Sequence, residues 1–191
     1  MKKHTAYLFV SAVTIVCFSL SCRQDTKIST SSGRPETPIA VEGKENLFQA
    51  GQFYFGGQPD EEMLRWLTDD GVKTVINVRT LEEMDTHTNE NFDEYTLAND
   101  LGMTYFHFPM GGNAGYSPQV VDTFAHTLET YKGKTFVHCK VGGRVSYLWM
   151  AYLIRHRGIP VDDAIDIGKK MKFRFPLEDL LGYSFSMRKK G

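Results

Sequence analysis

The chain has 191 residues, 41% hydrophobic and 24% charged, with 22 Lys+Arg against 23 Asp+Glu for a formal net charge of -1. That balance suits one globular domain and excludes a wholly disordered chain. Near-neutrality removes the positive field of a dedicated nucleic-acid binder, and three cysteines are too few and too unevenly spaced for a disulfide scaffold or a four-ligand zinc site.

Residues 1–21 read as a secretory signal peptide. Lys2 and Lys3 precede an apolar run over 6–20, with small residues before Cys22. The run is shorter than the roughly 20 residues that cross a bilayer as a helix. Its end, Ser19-Leu20-Ser21-Cys22, resembles a bacterial lipobox, with Ser19 where the usual Leu stands. The resemblance implies a lipidated Cys22, a membrane partner through that anchor, and a place in the periplasm or outer cell envelope; simple secretion is the alternative. Removal of 1–21 leaves a net charge of -3 and Cys139 as the only internal thiol. Residues 22–43, polar and broken by Pro35 and Pro38, read as a flexible linker, so the folded domain is expected over 44–191.

Within that domain strand and helix signals alternate. Residues 47–55 suggest a hairpin closed by Gly56-Gly57-Gln58-Pro59, and Asp60 caps a helix carrying Met63, Leu64 and Leu67 to Gly71. The β-branched run 72–78 is a strand. A helix over 91–101 leads to a strand at 103–108. Ser117-Pro118 opens a helix to about 131 with Val121, Phe124 and Leu128 inward. A short strand at 135–138, a helix from 143 to 157 and a last helix over 162–171 complete the pattern, followed by an irregular tail. The order predicts an α/β fold with a central, mostly parallel sheet of four to five strands and helices on both faces. In such sheets ligands collect outside the carboxyl ends of the strands, where the loops starting at Arg79, Pro109 and Cys139 should meet.

The strongest local signal is His138-Cys139-Lys140-Val141-Gly142-Gly143-Arg144-Val145-Ser146. A strand–loop–helix turn with paired glycines can aim backbone N–H groups at one point, and the helix N-terminus adds positive potential. An anion is favoured where Cys139 sits, and the thiolate is the nucleophilic form of cysteine. Arg144 offers a planar fork of donors matched to a phosphoryl or sulfuryl group. His138 is expected to orient the loop. His107 reads as a satisfied, structural histidine. No metal-ligand spacing is present, and no cofactor is called for.

Here the chain resembles the cysteine-dependent phosphatases, of the protein tyrosine and dual-specificity superfamily. More closely, 47–151 is similar to the bacterial β-lactamase-hydrolase-like phosphatase-like family, through Gly57-Gln58-Pro59, Ile76-Asn77-Val78-Arg79, His107-Phe108-Pro109 and the Cys139 loop. The resemblance implies Cys139 as nucleophile, Arg144 as phosphate clamp, and substrate contacts from Lys140, Val141, Gly142, Gly143 and Arg79, with a salt bridge to a nearby acid as the alternative for Arg79. Two departures stand out. Four residues separate Cys139 from Arg144 where tyrosine phosphatases have five, a spacing that resembles the rhodanese sulfurtransferases. Val145 also occupies the usual Ser/Thr position, with Ser146 one place late as the remaining hydroxyl expected to orient the nucleophile. The loop over 109–116 holds no carboxylate, so the general acid is sought among Glu82, Glu83 and Asp85, with Asp85 preferred. Three readings follow: a phosphomonoester hydrolase working through a phosphocysteine, a persulfide-carrying sulfurtransferase, and a non-catalytic phosphate- or sulfate-binding module.

Overall fold

The computed structural model describes residues 35, 37–85, 93–111, 115–172 and 177–186. Strands β1 (Ile39–Ala40), β2 (Leu47–Ala50) and β3 (Phe53–Gly56) form an antiparallel ribbon. Strands β4 (Val72–Asn77), β5 (Thr104–His107) and β6 (Lys134–His138) join it in a six-stranded sheet of order β1-β2-β3-β6-β4-β5. The pairings β3–β6, β6–β4 and β4–β5 are parallel. The expected α/β architecture is therefore present, with one strand more than the upper expectation. The extra strand is β1, in the segment read as linker. There Val41 N–H donates to the Leu47 carbonyl, a non-local pairing that composition does not signal.

Helices α1 (Glu61–Asp69) and α3 (Glu94–Asp100) cover one face. Their Leu64, Leu67 and Ala98 pack with Val72, Val75 and Phe136 of the sheet. On the other face lie α4 (Pro118–Thr130), α5 (Gly143–Arg157), α6 (Val161–Gly168) and α7 (Glu178–Leu181), whose Val121, Phe124, Leu148, Ile165 and Leu180 share a core with Ile76 and Val137. Strand side chains alternate between faces, so Phe136 and Val137 serve opposite layers. Covered on both sides, β4 buries five of its six residues, all but Lys73.

Asp60 caps α1 by accepting from Met63 N–H at 2.7 Å, as expected. Other elements differ from expectation. A short helix, α2 (Leu81–Asp85), occupies the acidic stretch after β4. The tail supplies α7, which packs on α4 and α5. Helix α5 is enclosed by the sheet and by α4, α6 and α7, so its residues 145–153 are all buried. Trp149 packs there with its ring tilted against Phe53 and Phe55, the centroids 4.9 Å and 4.8 Å away.

Register aligns the carboxyl ends of the four parallel strands. Gly56 pairs with His138, His138 with Asn77, and Asn77 with His107. The loops that begin at Gly57, Val78, Phe108 and Cys139 leave the sheet from this one rung.

Candidate active site

Cys139 follows the last residue of β6, and its N–H donates to the Gly56 carbonyl at 3.3 Å. Lys140 turns its carbonyl to Gln58 N–H at 3.2 Å, and Val141 bridges to Gly57. These contacts hold the loop against the end of β3. They also explain Gly57, whose Cβ would sit 3.3 Å from the Lys140 oxygen. Gly142 has φ +84°, a left-handed conformation that glycine adopts freely. This geometry turns its N–H onto Cys139 Sγ at 3.1 Å. Cys139 is 1% exposed, directly ahead of the N-terminus of the 15-residue α5. Lys140 and Val141 present their side chains to solvent.

Arg144, in the first turn of α5, does not swing outward. Its Nη1 donates to the Met110 carbonyl at 2.8 Å and, more weakly, to the Val78 carbonyl at 3.4 Å. Its Nη2 lies 2.7 Å from Glu83 Oε1 and 2.6 Å from Oε2. The side chain is 13% exposed. Arginine has five N–H donors in a fixed fork, and these acceptors fix the orientation of the guanidinium through both of its terminal nitrogens.

Glu83 is fixed in turn by Thr80. Thr80 N–H donates to Glu83 Oε2 at 2.9 Å and Glu83 N–H donates to Thr80 Oγ1 at 3.1 Å. This is the reciprocal Thr-x-x-Glu capping box that starts α2. Burial alone would raise the Glu83 carboxyl, but the Thr80 amide and Arg144 outweigh it and hold the group below the usual range. Glu83 is therefore an ionised anchor for the clamp, not a proton donor. Asp85 ends α2, and its side chain lies outside the described residues, as does Cys22.

Arg79, expected at the substrate, is instead buried. Its Nη1 donates to Gln58 Oε1 in a short hydrogen bond, and its Nη2 to the Glu83 carbonyl at 2.5 Å. Its backbone carbonyl accepts from His107 Nε2 at 2.8 Å, which gives His107 the structural role expected of it. His138 lies under the loop with Nε2 2.6 Å from Glu94 Oε1, both side chains buried. Gln58 Nε2 donates to Glu94 Oε2 at 2.7 Å. Burial would raise the Glu94 carboxyl, yet the His138 ring and hydrogen bonds from Gln58 and Tyr105 together hold it low.

Ser146 does not orient the nucleophile. Its hydroxyl lies between the carbonyls of Gly143 at 2.8 Å and Lys172 at 2.9 Å, pinning α5 to the segment after α6. Tyr116, half-buried in the loop after β5, feels Arg144, Cys139 and Glu83. Burial is the main cause that lifts its phenol above the ordinary value, so it stays neutral. Among the described residues, no group of three or more His, Cys, Asp or Glu is placed to hold a metal ion.

The structure thus brings together Cys139, Gly142 and Arg144, and adds Glu83, Thr80, Gln58, Glu94 and Tyr116. Of these, only the Thr80-x-x-Glu83 pattern had a local signal in the sequence. Gln58 lies in the Gly57-Gln58-Pro59 tripeptide, where nothing nearby in sequence indicates its partners Arg79 and Glu94.

Residues 37–175 match the model of a family described as DSP-PTPase phosphatase fused to NAD+ kinase. NAD kinase 2, chloroplastic, from Arabidopsis thaliana is 29% identical over 145 residues, which is 73% of this chain but 14% of that protein. The chain therefore spans about one seventh of that relative's length. Among solved structures, a DUF442 protein from Shewanella putrefaciens CN-32 is 25% identical with a TM-score of 0.54, over 65% of this chain and 81% of that one. TpbA of P. aeruginosa, solved as a cysteine-to-serine variant in complex with phosphotyrosine, is 18% identical with a TM-score of 0.57, over 78% and 88%. That second likeness is one of fold.

Proposed function

We propose a function from one premise: the chain belongs to the family of DSP-PTPase phosphatases described as fused to NAD+ kinase, and so to the cysteine-dependent phosphatases. In our reading it hydrolyses phosphomonoesters through a phosphocysteine. The observation that carries this is the Gly142 amide turned onto Cys139 Sγ ahead of the α5 N-terminus, followed by an Arg144 whose guanidinium is anchored by Met110 and Glu83. The quoted motifs shared with the β-lactamase-hydrolase-like phosphatase-like family support the same class.

The Cys139 thiolate attacks phosphorus and the bond from phosphorus to the leaving oxygen breaks. Asp85, two residues beyond Glu83, supplies the proton that the departing oxygen takes. Water then attacks phosphorus, the S–P bond breaks with its electrons returning to sulfur, Asp85 takes the water proton, and phosphate leaves. Arg144 and the amides of 140–143 stabilise the equatorial oxygens, the charge such a site is built to meet. Glu83 keeps the guanidinium facing the loop. Arg79 acts indirectly, by holding Glu83. Lipidation of Cys22 would hold this activity at the cell envelope.

The test is turnover of an aryl phosphate by the full chain beside Cys139→Ser. The reading expects turnover by the first, none by the second, and phosphate binding by both. An active Cys139→Ser would remove Cys139 as nucleophile. The four-residue spacing also suits a persulfide carrier, which predicts a mass gain of one sulfur on Cys139 after thiosulfate treatment in place of phosphatase turnover.

A further inference from the structure

A continuous chain of polar contacts runs behind the Cys139 loop, from the residue before the nucleophile to the guanidinium after it. His138 Nε2 meets Glu94 Oε1 at 2.6 Å, and Glu94 Oε2 accepts from Gln58 Nε2 at 2.7 Å. Gln58 Oε1 accepts from Arg79 Nη1, and Arg79 Nη2 donates to the Glu83 carbonyl at 2.5 Å. The Glu83 carboxylate then holds Arg144. The chain draws on six separate segments: the β3–α1 loop, the β4–α2 loop, α2, α3, the end of β6 and the first turn of α5.

Gln58 is the one amide side chain in this series, and its two ends do different work. The amide N–H faces a carboxylate and the amide oxygen faces a guanidinium. An apolar residue would leave two buried charges short of a partner, and a carboxylate would set like charges against Glu94. The backbone around Gln58 is stitched to the same loop, through Gln58 N–H to the Lys140 carbonyl and Cys139 N–H to the Gly56 carbonyl.

We propose that Gln58 is a positioning residue for the oxyanion site: it locks the Glu94–His138 pair to the Arg79–Glu83–Arg144 arm, so nucleophile loop and clamp keep one register. This rests on the phosphate-binding reading above and gives the Gly57-Gln58-Pro59 sequence a chemical task. Contacts in one network couple, whereas independent sites combine multiplicatively.

The test measures inorganic phosphate affinity of the full chain for wild type, Gln58→Leu, Glu83→Gln and the double variant. Each single change should weaken binding about tenfold, the size of one lost hydrogen bond to a charged group. The double variant should be little weaker than either, because both cut the same arm. Gln58→Glu, measured relative to wild type at each pH, provides a second readout. The introduced carboxyl, facing Glu94 and Arg79 with His138, Tyr105 and Glu83 nearby, can donate and accept again once protonated, so its phosphate affinity should recover as pH falls. That recovery separates positioning from misfolding. A wild type that binds phosphate alongside a Gln58→Leu variant that binds it equally well overturns the role of Gln58 alone. An about hundredfold, multiplicative double effect does the same. A wild type that does not bind phosphate removes the oxyanion site and the proposal together.

Discussion

Gly142 and Gly143 look equivalent in the sequence, yet the structure gives them unequal tasks. Gly142 has φ +84°, and a Cβ there would meet the Gly56 carbonyl group at 3.5 Å. Gly143 lies outside the left-handed region, and its Cβ would find only the Lys172 oxygen at 3.9 Å. Placing alanine in the left-handed region costs about 1–2 kcal/mol. For a chain of this size that lowers Tm by about 2–8 °C. Relief of the strain would also turn the 142 amide away from Cys139 Sγ, so aryl phosphate turnover should fall about tenfold or more. Gly143→Ala should leave stability within about 0.5 kcal/mol of wild type. Urea unfolding and turnover of the two variants, run in parallel, read both effects. If Gly142→Ala were as stable and active as Gly143→Ala, the left-handed amide would not be what shapes the loop around Cys139 Sγ.

Arg144→Lys keeps the charge but loses the fork that serves Met110, Glu83 and an oxyanion together; phosphate affinity by calorimetry should fall about tenfold or more. Asp85→Asn should cut turnover of alkyl phosphates by roughly 10²–10⁴ while sparing aryl phosphates whose leaving oxygen needs no proton; equal losses on both would remove Asp85 as the acid. At the opposite end of the sheet, Asp70 is hydrogen-bonded by Lys134 at 2.6 Å and Tyr54 at 2.5 Å, and these contacts hold its carboxyl below the usual range. Its folded-state value is depressed, so its stabilisation is complete above the unfolded value of about 3.9 and is lost as pH falls through the lowered one. Urea unfolding at pH 7 and pH 3 should show a smaller acid-side loss for Asp70→Asn than for wild type. Cys22→Ser should move the chain from the membrane pellet to the soluble fraction of its native cell; no shift would argue against the lipid anchor.

The sheet and the nucleophile loop were legible because their signals are local. The β-branched run of β4, the Ser117-Pro118 start of α4 and the glycines after Cys139 each act through neighbours in sequence. Long-range partners were not. Arg79 ends a strand that points toward the site, and nothing within a few residues says that Gln58 and the Glu83 carbonyl will draw it inward. Glu94 begins a helix after an Asp93 cap and reads as solvated, yet its partner His138 arrives on a strand far along the chain. Glu83 belonged to a recognisable capping box, but its second partner, Arg144, lies 61 residues on. Ser146 was assigned by its nearness to Arg144 in sequence, whereas a hydroxyl in a first helical turn commonly finds backbone carbonyls.

Hydrolysis through Cys139 requires a transient covalent bond between its sulfur and phosphorus. Rapid acid quenching of the full chain with an aryl phosphate, followed by mass spectrometry of the Cys139 peptide, reads it directly. One phosphoryl group on Cys139, formed as fast as the first equivalent of phenol is released and absent in Cys139→Ser, is the predicted result. Phenol released from an enzyme whose Cys139 never carries phosphate would contradict it.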